Sequence, residues 1–196
     1  MKALVVHCHP NPDSLCAAAR DRVLAGLAAG GHEVRLLDLY AEDFVPELSS
    51  WEREHHLDDP TTKPDIARHA DDLRWCDALV LVYPTWYSGQ PAMLKGWIDR
   101  VWVRGVAYEL PDGSNRIRPL LQHIRRIVVV TTHGSTKWVN AVQGEGGKRV
   151  AFRSLRVLCN PRCRTTWLAL YGADTGTDER RRSFLDRVER RVRTLR

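Results

Sequence analysis

Short apolar runs without alternation recur along the chain: Ala3-Leu4-Val5-Val6, Val34 to Leu39, Ala78 to Tyr83, Ile127 to Thr132 and a weaker Thr165 to Leu170. Runs of this length with no polar face fit strands covered on both sides, as in a parallel sheet. Between them lie stretches with helical spacing of apolar positions, roughly Ser14 to Ala29, Asp65 to Trp75, Ala92 to Trp102, Gly147 to Leu158 and a last one from Asp178. Strand and helix alternate throughout. That alternation predicts an α/β, doubly wound fold, a five-stranded parallel sheet with helices on both faces, because right-handed crossovers lay successive helices over one side or the other. Ligands of such sheets bind beyond the carboxyl ends of the strands, where the winding changes direction, so the loops that follow strands are where chemistry is sought.

Two stretches are irregular. Ala41 to Pro64 holds Trp51, His55 and His56, and its length suits a segment that covers a ligand or meets a partner subunit. Val106 to Pro119, centred on Pro111-Asp112-Gly113-Ser114, reads as a small hairpin or lid. Over 196 residues there is neither a repeat nor a linker, so a single domain spanning 1–196 is expected. The 43% hydrophobic and 28% charged content excludes disorder, collagen and coiled coil. No apolar run approaches the roughly 20 residues of a membrane helix. The start reaches His7 too soon for a signal peptide, so a cytoplasmic location is expected.

The net charge of +6 is unevenly placed. Thr177 to Arg196 holds eight Arg against Asp178, Glu179, Asp186 and Glu189, a local excess of four. Phe184, Leu185, Val188, Val192 and Leu195 share one helical face there, which puts most of the arginines on a solvated face. An anionic partner, whether nucleic acid, a phosphorylated ligand or a membrane surface, is the competing use. Five cysteines, Cys8, Cys16, Cys76, Cys159 and Cys163, are an odd number in a chain with no export signal, which favours free or buried thiols over bridges. A zinc site from Cys159, Cys163 and His7-Cys8-His9 fails on geometry: Cys8 points away from both histidines on a strand, and two Cys four apart do not match the usual close pair. No metal is expected.

Three loops carry the candidate chemistry. His9-Pro10-Asn11-Pro12-Asp13-Ser14 precedes an alanine-rich helix, so Asp13 or Ser14 stands where free amides and the helix dipole can seat a phosphate; the same residues also serve as an ordinary N-cap. Tyr83-Pro84-Thr85-Trp86-Tyr87-Ser88-Gly89-Gln90-Pro91 puts two aromatics on a loop edge stiffened by prolines, which suits a planar heterocycle, although aromatics beside a sheet also pack into their own domain. Thr131-Thr132-His133-Gly134-Ser135 offers amides and hydroxyls that could hold the polar edge of such a ring and stabilise charge arriving on it, or serve as a plain turn. Other readings fall away. Gly144-Glu145-Gly146-Gly147-Lys148-Arg149 is not a P-loop, since Val142 and Arg149 stand where Gly and Ser or Thr are needed. A phospho-receiver would want paired acids after the first strand, and no Gly-x-Ser-x-Gly elbow of a serine hydrolase occurs.

Taken together, these loops resemble the flavodoxin-like NAD(P)H:quinone oxidoreductase family, which includes the bacterial drug-activity modulators and the ancillary subunits of potassium-efflux systems. The most specific part is Tyr83-Pro84 through Pro91-Ala92-Met93-Leu94-Lys95-Gly96-Trp97-Ile98-Asp99-Arg100-Val101, followed by Gly105-Val106-Ala107-Tyr108. The resemblance implies a flavodoxin-like fold and a flavin, FMN or FAD, whose phosphate is held by His9, Ser14 and the following turn around Cys16. Its ring would lie against Pro84, Thr85, Trp86, Tyr87 and Ser88 on one side and Thr131, Thr132, His133 and Gly134 on the other. Cys16 departs from the polar residue common there, and His133-Gly134 replaces a frequent Gly-Gly, with the imidazole expected to touch the flavin edge. The activity implied is two half reactions at one site, hydride passing from NAD(P)H to flavin and then to a quinone. His133 is the titratable group placed to help, Tyr108 the roof of the substrate pocket, and the Tyr and His relay of animal quinone reductases has no counterpart in Trp138 to Gly146. A homodimer is implied. The alternative is a flavin-binding regulatory subunit of a membrane transport system with little activity of its own; an arginine-driven nucleic-acid binder ranks last.

Overall fold

The structure is a computed structural model and describes residues 1–56, 58, 64–111, 113 and 116–196. Leu57, Asp59 to Lys63, Asp112, Ser114 and Asn115, within the two irregular stretches, lie outside the described residues. The elements in chain order are β1 (Lys2–His7), α1 (Leu15–Ala29), β2 (Glu33–Asp38), α2 (Ser50–Glu54), α3 (Pro64–Trp75), β3 (Ala78–Pro84), α4 (Ala92–Val101), β4 (Tyr108–Glu109), β5 (Arg118–Pro119), β6 (Arg126–His133), α5 (Lys137–Val142), α6 (Gly146–Arg149), β7 (Arg164–Tyr171) and α7 (Asp178–Arg193). The five apolar runs form one parallel sheet in the order β2-β1-β3-β6-β7. Winding reverses between β1 and β3, so the carboxyl ends of those two strands flank the crevice where such sheets take ligands.

Strand alternation divides the core. Leu4, Val6, Leu79, Leu81, Ile127 and Val129 face α3 and α4, whose Ile66, Leu73, Leu94 and Trp97 complete one layer. Val5, Val80, Val82, Val128 and Val130 face Val23 and Leu27 of α1 and Phe184, Val188 and Val192 of α7, the apolar stripe expected of the last helix. Every residue of β3 is buried, as its unbroken apolar run requires. All five cysteines are buried and free.

Two departures have local causes. The irregular stretch after β2 contains α2, opened by a capping box in which Ser49 accepts from the Glu52 amide while Glu52 accepts from the Ser49 amide. That helix is latched to α4: Arg100 and Glu52 are each 5% exposed and paired at 2.7 Å, and Arg100 also donates to the Asp65 carboxylate and the Val45 carbonyl. Gly96 of α4 lies against Pro46 with no room for a Cβ. The single helix predicted for Gly147 to Leu158 is instead α6, a π-helical stretch Val150–Leu155 and a 3-10 turn Arg156–Leu158. Ala151, Leu155 and Leu158 keep helical spacing and stay buried, so the pattern survives while the hydrogen-bond register widens. In the second irregular stretch β4 and β5 pair antiparallel, a two-residue hairpin ladder as expected.

Candidate functional site

The loops after β1, β3, β6 and β7 converge on one cleft of about 400 Å³ lined by His9, Pro84, Thr85, Trp86, Tyr87 and Thr132, with Gly134, Ala173 and Asp174 on the far side. In a parallel sheet all these loops leave the same rim, which is why residues distant in sequence meet. The Thr85 amide donates to the Thr132 carbonyl at 2.8 Å and ties two loops together. His9 is half-buried, its ring tilted against that of Trp86 with centroids 6.3 Å apart. His9 Nδ1 lies 3.0 Å from the Asn11 amide and 3.1 Å from the Asn11 carbonyl, so that edge of the ring is held by its own loop while Nε2 is free of it.

The aromatic loop is a tight reversal. Tyr87 and Ser88 both have positive φ, 47° and 63°, and Trp86 and Gly89 exchange backbone bonds at 3.2 and 3.0 Å across them. This is a two-residue turn of the kind that usually needs Asn or Gly, and non-glycine residues there cost on the order of 1 kcal/mol each. The strain is held from behind: Ser88 Oγ donates to Gln143 Oε1 at 2.6 Å, and the Gly147 amide donates to the Ser88 carbonyl at 3.1 Å. A Cβ on Gly146 or Gly147 would come within 3.0 Å of the Ser88 carbonyl oxygen or the Tyr83 hydroxyl. The second glycine cluster thus lets α6 press against the turn. Trp86 is 43% exposed and Tyr87 fully so, which offers a flat apolar flank.

Not every sequence-predicted residue reaches the cleft. Thr131 and His133, expected at the ring, sit on the opposite face of β6 from Thr132 and are buried. His133 is 3% exposed, donates from Nδ1 to Asn140 Oδ1 at 2.7 Å and stacks on Tyr171. Burial keeps its imidazole below the usual value against the pull of Asn140 and Glu145, so it is neutral, with Nε2 3.4 Å from Thr85 Oγ1. The structure therefore places His133 in the layer behind the wall and not at the cleft, where the flavin-edge contact was expected. Cys16, 4% exposed, turns its thiol into the apolar layer under α1, where burial pushes the thiol pKa up. Ser14 acts as the N-cap, accepting from the Ala17 amide at 3.1 Å. Ser88 faces α5, and Tyr108, the expected roof, pairs in the hairpin and packs on the core instead of the cleft.

Ala173 and Asp174 were not singled out from sequence. The Ala173 amide donates to the His133 carbonyl at 2.9 Å, which brings the loop after β7 beside Gly134, where a Cβ would strike the Asp174 carboxylate. Their signal was topological: a fifth parallel strand must deliver its following loop to the same rim.

Residues 1–158 match the family described as flavodoxin-like fold. Among solved structures, Smu.1420 from Streptococcus mutans superposes with a TM-score of 0.86 over the whole of both chains at 29% identity. An NAD(P)H:quinone oxidoreductase from Methanothermobacter marburgensis gives 0.83 at 28% identity, covering all of this chain and 99% of that one. The uncharacterized NAD(P)H oxidoreductase YcaK of Escherichia coli is 36% identical over 105 residues, 53% of this chain and 54% of its own. The chain spans about half the length of the curated relatives it matches first. Among the described residues no helix is long and apolar enough to cross a membrane.

Proposed function

The chain belongs to the flavodoxin-like fold family, and on that premise we propose that it is a flavin-dependent NAD(P)H:quinone oxidoreductase. One observation carries the reading: His9, Pro84 to Tyr87, Thr132 and Gly134 line a single cleft at the point where the sheet reverses its winding. The residues present fit a flavin. The cleft is within the usual size of a small-molecule site. It has a flat aromatic flank in Trp86 and Tyr87, a hydroxyl in Thr132, and at Gly134 a backbone that a ring edge can approach. His9 Nε2 and the amides of Leu15 and Cys16, which precede the first intrahelical bonds of α1, would hold the phosphate.

When bound, a flavin supplies the two-electron carrier through which NAD(P)H reduces a quinone-like acceptor, the two substrates using the same face in turn. The chain's own part is placement. The strained turn at Tyr87 and Ser88 holds the aromatic flank rigid, and Thr85 fixes its distance from Thr132. The neutral His133 keeps charge out of the layer behind the wall. A homodimer belongs to the same reading, with a second copy covering the exposed Tyr87, Trp138 and Val142.

The test is to load the purified protein with FMN or FAD, remove free flavin, identify by mass what heat releases, and follow menadione-dependent oxidation of NADH and NADPH. Retained flavin with menadione-dependent turnover is expected. A protein that retains neither flavin and oxidises neither nicotinamide overturns the proposal.

A further inference from the structure

At the end of the sheet away from the cleft, β6 and β7 both begin with arginine. Arg126 and Arg164 are register partners on neighbouring parallel strands, about 4.8 Å apart in backbone spacing. Strand parity puts both on the face covered by α7. Like charges side by side on adjacent strands destabilise a sheet unless something neutralises them. Arg126, Arg156, Arg164, Arg191 and Arg196 line one concave pocket of about 630 Å³ whose wall contains no acidic residue. Among the described residues none of the five is within ion-pair distance of a carboxylate. Asp186 and Glu189, the acids on this half of α7, are turned to Arg22 of α1 at 3.7 and 2.7 Å. Residues 146–173 contain six Lys or Arg and no Asp or Glu.

The pocket is built, not merely charged. Arg156 is fixed by donating to the Cys163 and Pro161 carbonyls at 2.8 and 3.3 Å. The Cys163 thiol lines the same pocket, its Sγ directed to the Arg164 carbonyl. Phe152, packed with Trp167 on one face of the sheet, and Leu195, in the α7 layer on the other, reach the pocket from its two sides. Guanidiniums match phosphate oxygens bidentately, and a concave site suits a compact anion better than an extended one.

We propose that this pocket binds a small organic polyphosphate, of the class of nucleoside diphosphates, with the arginines on the phosphates and the base between Phe152 and Leu195. The site stands independently of the flavin reading, since about seven residues of strand, roughly 23 Å, separate it from the rim. The test is calorimetric titration of the full chain with ADP, pyrophosphate and adenosine at low and high salt, repeated on Arg164→Ala/Arg191→Ala, which replaces two exposed side chains, and on Trp86→Ala in the cleft. Saturable ADP binding that weakens with salt is expected, with pyrophosphate weaker and adenosine silent. It should fall at least about tenfold in the double arginine variant, recover in part with lysine at both positions, and persist in Trp86→Ala. The proposal is overturned if wild-type protein shows no saturable ADP binding, if the loss follows Trp86→Ala instead, or if random-sequence DNA binds more tightly than ADP and is lost in the same double variant.

Discussion

The rings of His133 and Tyr171 lie face to face, centroids 4.5 Å apart and planes 19° from parallel. The Tyr171 hydroxyl donates to Glu145 at 3.0 Å and accepts from Trp167 Nε1 at 3.2 Å. The last residues of β6 and β7 are thereby joined to α6, and through it to the turn carrying Trp86. A positioning role follows for His133: its substitution by Gln should lower flavin affinity and melting temperature while leaving the shape of the pH profile of quinone reduction between pH 5 and 8 unchanged. Disappearance of a titration step from that profile would assign His133 to proton transfer and remove this account.

His7 is 1% exposed, and neither ring nitrogen has a hydrogen-bond partner. Burial, aided by Arg20 and His9 against the pull of Asp38, lowers its pKa to about 4. Burial likewise lowers His69 and His133. A folded pKa below the unfolded 6.5 means that the unfolded chain binds more protons between the two values, so stability is complete above 6.5 and is lost as pH falls toward 4. For His7 alone the loss is roughly 3 kcal/mol. Urea midpoints measured from pH 7.5 to 4.5 should fall, and less steeply in His7→Leu; parallel curves for the two proteins would rule His7 out as a source.

Arg100→Met leaves Glu52 buried without its cation, which costs about 3–5 kcal/mol by urea unfolding. Glu52→Gln in the same chain should recover more than half of that. If the double variant is no more stable than Arg100→Met, the latch between α2 and α4 rests on packing at Gly96 and Pro46 and not on the ion pair.

Gly134→Ala forces the Asp174 carboxylate aside. The displaced group is the end of a flexible side chain, so the fold should lose no more than about 1 kcal/mol. FMN affinity, read by quenching of flavin fluorescence, should fall about tenfold and return when Asp174→Ala is added. Unchanged affinity in Gly134→Ala would mean that this edge of the cleft is not where a flavin lies.

Much of the architecture was legible because an apolar run with no polar face has few uses, and each of the five strands starts and ends within two residues of its run. The three loops were legible for the same reason: Pro, Gly and hydroxyl residues mark where a run stops. What could not be read was parity. His133 is the last residue of β6 and not the first of the loop, so the alternation that points Thr132 to the cleft turns Thr131 and His133 away. One residue of strand length decides between a ligand contact and a buried wall. Asp174 was missed because β7 carries Arg164, Thr165 and Thr166 and made a weak strand signal. Helix α2 went unread although Ser49 and Glu52 spell its capping box.

Two successive residues with left-handed backbone, Tyr87 and Ser88, also restrict how this rim can drift in descendants. Proline cannot adopt φ near +47°, and valine, isoleucine and threonine adopt it only at high cost. In a randomised library selected for folding, position 87 should therefore collapse onto glycine, asparagine, aspartate and a few unbranched residues. Position 86, on ordinary backbone just before the bend, stays open to every flat or bulky side chain, so within this turn it is the place where the aromatic flank of the cleft can be retuned.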